Sequence, residues 1–333
     1  MTDPHQIDFP TFRSRPPWWG GDLQTVRNFV TRTAIDLSGF VSERMIFETD
    51  DGTGDRLQAA LDHPMTGGAQ PLLVLVHGLT GCEDSTYLRA TARYFLEHGW
   101  RTLRVNMRGA GPSRQTCRFH YHAGRSEDLR AVLTRLPRQL IENGIALMGF
   151  SLGGNQVLKL LGEGSTALDP VRAAISVSAP VDLMATSDHF ARPRNYVYQR
   201  WLLGRMKADA VAPGAAVGDD ERRAIGRART VYEFDDRFVA PRHGFAGADD
   251  YYRQCSSLNF LSEIRVPSLI LSARDDPWIP CDALDRYDGK TAPMVRALLP
   301  GGGGHVGFHG RGVHAPWHDR CAHRLFKAVG LMD

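Results

Sequence analysis

An apolar run, Ile145 to Met148, stops at Gly149, and the chain continues Phe150-Ser151-Leu152-Gly153-Gly154-Asn155 into a helical pattern from Gln156 to Leu161. This reads as a strand, a sharp turn and a helix, with Ser151 at the tip. Such a turn strains the serine and brings backbones close together. Flanking side chains would collide, so glycine is favoured on both sides. The spacing Gly149-x-Ser151-x-Gly153 is that of a nucleophile elbow. It aims the Leu152 N–H and the helix N-terminus at the region where an oxyanion would form. A pattern this short also arises by chance, so its meaning depends on whether partners follow in the required order.

Around the elbow, strand and helix patterns alternate. Met45 to Glu48 and Leu57 to Leu61 read as two strands joined by the turn Asp50-Asp51-Gly52. Pro71 to Val76 is a continuous apolar run, typical of a strand buried on both faces of a parallel sheet. Ser85 to Glu97 is amphipathic, Thr102 to Val105 is a strand, and Ser126 to Leu136 is helical with acids in its first turn. Further buried strands are Ala173 to Ser178, Ser268 to Ser272 and Val295 to Leu299. A closing helix begins around Pro316 and ends near Gly330. Alternation of this kind predicts an α/β fold: a mostly parallel sheet with helices on both faces.

One gap breaks the rhythm. Residues 181–266 are far more than a connection needs. They contain a helical apolar stretch (Tyr196 to Met206), a polar break (Pro213 to Asp220), then Arg227 to Phe234 and Tyr251-Tyr252. They are expected to form a helical cap over the C-terminal edge of the sheet, where ligands bind in open α/β folds. The core would then comprise residues 41–180 and 267–333. The proline- and aromatic-rich residues 1–40 read as a structural arm packed on that core, with a short helix near Gln24 to Val30. Tyr196, Trp201, Leu202 and Leu203 suggest an apolar acyl pocket, although the cap's own core would use most of them.

Composition excludes several classes. The net charge of +3 comes without a long basic run, which argues against nucleic-acid or anionic-membrane binding. No apolar run approaches the roughly 18 residues of a membrane span, and the N-terminus shows no signal peptide. Cys82, Cys117, Cys255, Cys281 and Cys321 are scattered and form no CxxC pair. That fits a reducing cytoplasm and neither a disulfide framework nor a zinc site. The composition leaves the oligomeric state open.

A serine nucleophile needs a base, and the base an orienting carboxylate. After the next-to-last strand comes Asp275-Asp276-Pro277-Trp278. Asp276, further past the strand end, is the expected acid and Asp275 the alternative, as a loop-capping or solvated residue. After the last strand, Gly301 to Gly304 precede His305, which reads as the base at the end of a flexible glycine loop. His309 is the alternative, read as a surface histidine. The loop His77-Gly78-Leu79 follows an early strand, so the oxyanion donors are expected to be the Leu79 and Leu152 amides, with His77 structural. This chemistry requires no metal or organic cofactor. His314 and Asp319 match an His-x4-Asp acyltransferase pattern, but their position at a helix start favours capping. Cys82, beside the oxyanion loop, reads as an inert thiol.

These segments together resemble the YheT-like branch of the α/β-hydrolase fold, a group of predicted esterases related to eukaryotic abhydrolase-domain lipases and yeast medium-chain ester synthases. The resemblance covers nearly the whole chain. It rests on Gln24-Thr25, His77 to Gly81, Asn106 to Gly109, Gly149 to Asn155, Ser178 to Leu183, Glu233-Phe234-Asp235, Tyr251-Tyr252, Asp275-Asp276-Pro277 and Gly304 to Phe308. It implies an α/β-hydrolase fold and cleavage of small- to medium-chain carboxylic esters by a Ser151–His305–Asp276 triad. The partner would be a small-molecule ester. Transfer of the acyl group to an alcohol, or a hydrolase fold kept only for binding, are the alternatives. Two departures stand out: no N-terminal anchor is visible, and Gly124-Arg125-Ser126 replaces the family's usual Gly-Glu-Thr.

Overall fold

A computed structural model describes residues 2–31, 34–65, 71–287, 290–312 and 314–332. Met1, Arg32 and Thr33, within the expected arm, lie outside the described residues. The strands are β1 (Val41–Glu48), β2 (Arg56–His63), β3 (Leu72–Val76), β4 (Arg101–Val105), β5 (Ile145–Phe150), β6 (Val171–Val177), β7 (Ser268–Leu271) and β8 (Val295–Leu298). They form one sheet in the order β1-β2-β4-β3-β5-β6-β7-β8. β2 runs antiparallel to β1 and β4, and the other neighbours are parallel.

The helices are α1 (Gly21–Thr31), α2 (Thr86–Glu97), α3 (Ser126–Thr134), α4 (Arg138–Ile141), α5 (Leu152–Glu163), α6 (Leu183–Phe190), α7 (Tyr196–Ala210), α8 (Asp219–Arg227), α9 (Val231–Phe234), α10 (Ala240–Arg242), α11 (Ala248–Cys255) and α12 (Trp317–Ala328). α3 ends at Thr134, short of the expected Leu136, because Pro137 disfavours helix in the residue before it. The expected polar break contains the start of α8. Its acidic residues serve the helix N-terminus, where the Gly218 amide donates to Glu221 Oε2 at 2.9 Å. α9 continues into a π-turn, Asp235–Val239.

Strand side chains alternate between two cores. Leu72, Val74 and Val76 of β3 join one apolar cluster, with α3, α5 and cap residues; Leu73 and Leu75 join the other, with α2 and α12. Two covered faces explain why β3 and β5 read as unbroken apolar runs. Parallel strands then deliver the loops after β3, β5, β7 and β8 to one edge of the sheet.

Candidate active site

Ser151 sits between β5 and α5 at φ +50°, ψ −121°, in the left-handed region that a side chain enters only under strain. A Cβ on Gly149 would lie 2.3 Å from the Gly153 carbonyl oxygen, and one on Gly153 would lie 2.4 Å from that of His77. Close approach, as well as the turn, therefore demands these glycines. Asn155 staples α5 to its surroundings: its side-chain amide donates to the Ala123 and Cys255 carbonyls, and its Oδ1 accepts from the Ser257 amide.

The loops after β7 and β8 bring an acid and an imidazole to this serine. His305 Nε2 lies 3.1 Å from Ser151 Oγ, and His305 Nδ1 lies 2.9 Å from Asp276 Oδ2. Asp276 Oδ1 accepts from the Trp278 and Ile279 amides at 2.8 and 3.1 Å. A carboxylate only accepts, so the ring proton belongs on Nδ1, leaving the Nε2 lone pair facing the serine hydroxyl. The Trp278 ring stacks on the imidazole, 4.5 Å between centroids.

Asp275 does not reach the histidine. Its Oδ1 accepts from the Gly304 amide at 2.9 Å, capping the loop. Of the glycines ahead of His305, Gly303 and Gly304 are tightly packed rather than a flexible tether, while Gly301 stands in open space. A Cβ on Gly303 would meet the Phe308 ring at 2.6 Å, and one on Gly304 the Gly21 carbonyl at 2.4 Å. His309 is not a surface histidine: its amide donates to Gln24 Oε1 at 2.8 Å, and burial beside Arg27 and Arg15 pulls its ring pKa down to about 3.

The arm takes part in the site. The His305 amide donates to Thr25 Oγ1 at 2.8 Å, and that hydroxyl donates to the Gly21 carbonyl at 2.7 Å. Gln24 and Thr25 were visible as a conspicuous pair, but nothing local links them to a residue 280 positions away.

The loop after β3 is held from three sides. The Gly78 amide donates to the Tyr87 hydroxyl at 2.9 Å and the Thr80 amide to the Tyr121 hydroxyl at 2.8 Å; the Arg205 guanidinium of α7 donates to the Thr80 carbonyl at 3.2 Å. Leu79, between the two anchored amides, and Leu152, at the first position of α5, keep amides with no hydrogen-bond acceptor among the described residues. His77 is structural as expected: fully buried, it donates from Nδ1 to the Gly78 carbonyl and accepts at Nε2 from the Met107 amide, while burial lowers its pKa to about 4. Tyr87 and Tyr121 gave no local signal, since a tyrosine in a helix or loop reads as packing.

Ser151, His305, Leu79 and Leu152 line a cavity of about 400 Å³ roofed by the segment between β6 and β7. Trp201 and Leu202 line it, Leu203 packs into the core, and Tyr196 is exposed. Phe29 of α1 meets Trp201 edge-on at 5.3 Å at its rim. Asp319 is elsewhere. It is fully buried, accepts from Thr91 Oγ1 at 2.7 Å, and caps no helix: the N-cap of α12 is Pro316, which has no side chain to donate or accept. Cys82 is half-buried, with its thiol pKa pushed up by burial. Gly124 is needed because a Cβ there would lie 2.2 Å from Cys255 Sγ. Among the described residues no group of three His, Cys, Asp or Glu side chains could hold a metal ion.

The chain belongs to the α/β-hydrolase fold family, whose sequence pattern matches residues 71–311. Within that family it falls in the YheT-like branch. It is 38% identical over 254 residues to YheT of Escherichia coli (strain K12), named as an inferred esterase, covering 75% of this chain and 74% of that protein. It is 31% identical over 264 residues to the mouse (Mus musculus) phospholipase ABHD3, covering 78% of this chain and 62% of that protein. It is 30% identical over 251 residues to the monoacylglycerol lipase of Saccharomyces cerevisiae, covering 72% of this chain and 55% of that protein. Among solved structures it shares its fold with the Pyrococcus furiosus esterase Pf2001, at a TM-score of 0.60 and 16% identity over 97% of this chain and 98% of that one.

Proposed function

We propose that the chain cleaves carboxylic esters of small to medium acyl chain length through Ser151, His305 and Asp276 by way of an acyl-enzyme. Family membership makes it a carboxylic ester hydrolase, with relatives named as esterase, phospholipase and monoacylglycerol lipase. The finer reading is carried by the hydrogen-bonded line Ser151–His305–Asp276 at the floor of the cavity. A volume of about 400 Å³ suits a small or medium substrate.

His305 Nε2 takes the proton of Ser151 as Oγ attacks the ester carbonyl carbon. The Leu79 and Leu152 amides receive the developing oxyanion. The C–O bond to the alcohol breaks, and the alcohol leaves with the proton from His305. Water, deprotonated by the same nitrogen, then releases the carboxylic acid and restores the serine. Asp276 holds the ring in the required tautomer and stabilises the imidazolium.

In this reading residues 181–266 act as a cap that sizes the substrate, 41–180 and 267–333 carry the chemistry, and the arm 1–40 steadies the histidine loop. Among the described residues no helix is long and apolar enough to cross a membrane. The five unpaired cysteines support a reducing, cytoplasmic setting. The test is hydrolysis of p-nitrophenyl esters from acetate to palmitate beside Ser151→Ala. Activity in the wild type that disappears in the variant is expected; equal activity in both would overturn the assignment.

A further inference from the structure

The roof of the cavity carries polar groups that this reaction does not use. Asp235 opens the π-turn after α9, is 8% exposed, and lines the same cavity as Ser151. Tyr252 donates its hydroxyl to Asp235 Oδ2 at 2.7 Å, and no cationic side chain pairs with the carboxylate among the described residues. Burial pushes its pKa up to about 7. His120, also 8% exposed, lines the same cavity. Neither of its ring nitrogens makes a well-aligned hydrogen bond; the Asp209 and Ala210 carbonyls offer at most weak ones. The His120 ring lies 5.9 Å from that of Phe238, which belongs to the same π-turn as Asp235. Two under-bonded polar side chains therefore line the same cavity, one on the π-turn and one packed against it.

A buried polar atom without a partner costs about 1–3 kcal/mol, and native proteins rarely leave one so without use. A ligand that fills the cavity could supply the missing partners. Charge limits which ligand. Arg114 and Arg242 lie close enough to His120 to help keep it neutral, which disfavours a cation there. The Asp235 carboxyl disfavours an anion. A neutral imidazole offers one N–H and one lone pair, and the aspartate offers further acceptor positions. A hydroxyl group, both donor and acceptor, matches this set.

We propose that Asp235, Tyr252 and His120 form a hydroxyl-binding subsite that selects esters with a free hydroxyl on one arm. The inference rests on the ester-hydrolase reading and narrows its substrate class. The hydroxyl can belong to the acyl arm or to the alcohol arm, and the recognition chemistry is the same.

The experiment compares kcat/KM of the full chain on two matched pairs. One pair is p-nitrophenyl ω-hydroxyhexanoate and p-nitrophenyl hexanoate; the other is glycerol monobutanoate and propyl butanoate. The wild type should favour the hydroxylated member of at least one pair by roughly tenfold, mainly through KM. The first pair reports the acyl arm and the second the alcohol arm. Asp235→Leu and His120→Leu should each abolish the preference, and Asp235→Asn, which keeps an acceptor, should retain part of it. If Asp235→Leu does not fold, His120→Leu decides. An active wild type without preference in either pair overturns the subsite alone, as does a preference that survives substitution. A wild type inactive on all four esters, or a Ser151→Ala variant as active as wild type, counts against the ester-hydrolase reading and removes the subsite with it.

Discussion

At the floor of the cavity, Asp276 accepts three hydrogen bonds, and the amides of Gly78, Thr80 and His305 each have a side-chain partner. At the roof, Asp235 accepts one hydrogen bond and His120 makes none that is well aligned. Both regions are buried and line one space, so burial alone does not explain the contrast. Groups that must hold reacting atoms in place are locked before substrate arrives, which is what preorganisation requires. Groups left with spare hydrogen-bonding capacity are free to meet a ligand.

The largest expected effect breaks the floor. Ser151→Ala should lower kcat by about 10⁴-fold or more, read with p-nitrophenyl esters. Next, Asp276→Asn should cost roughly 10³–10⁴-fold by favouring the wrong imidazole tautomer. Asp275→Asn keeps an acceptor for the Gly304 amide and should stay within about threefold. Equal losses in the two variants would remove the distinction between the aspartates.

The supporting hydrogen bonds come third. Thr25→Val strands the His305 amide, and Tyr121→Phe strands that of Thr80. Each should lower stability by about 1–3 kcal/mol in urea unfolding. Each should also lower kcat by roughly tenfold with a smaller change in KM, because the reacting groups shift. Unchanged kcat would mean that the floor is not locked by these residues.

The smallest effect sharpens the contrast from the roof. With its pKa raised from 3.8 to about 7, Asp235 keeps a proton in the folded state that the unfolded chain has released. Stability linked to this group therefore falls as pH rises through that window and is lowest above it. Asp235→Asn carries no such penalty. Relative to wild type it should be more stable at about pH 8 than at about pH 5, by urea unfolding. The same difference at both values would show that Asp235 is not a desolvated, unpaired carboxyl.

Much of this architecture could be read locally. The elbow announces itself because close approach leaves room only for glycine at positions 149 and 153, and β3 and β5 because both of their faces are covered. Local reading misjudged the glycines before His305. Four in a row look like slack, yet Gly303 and Gly304 are pressed against Phe308 and Gly21. It reads the arm as structural without showing what it supports, which is the His305 backbone, through Thr25.

The sequence by itself determined the order of strands and helices, the strained serine and the position of each loop after its strand, because propensity, periodicity and glycine spacing act within a few residues. Only the tertiary structure decided which aspartate meets His305, which tyrosines hold the loop after β3, and that Asp235 and His120 line one cavity with Ser151. Those relations join residues from 9 to 115 positions apart, and they exist only once parallel strands carry their loops to one edge and the segment between β6 and β7 closes over it.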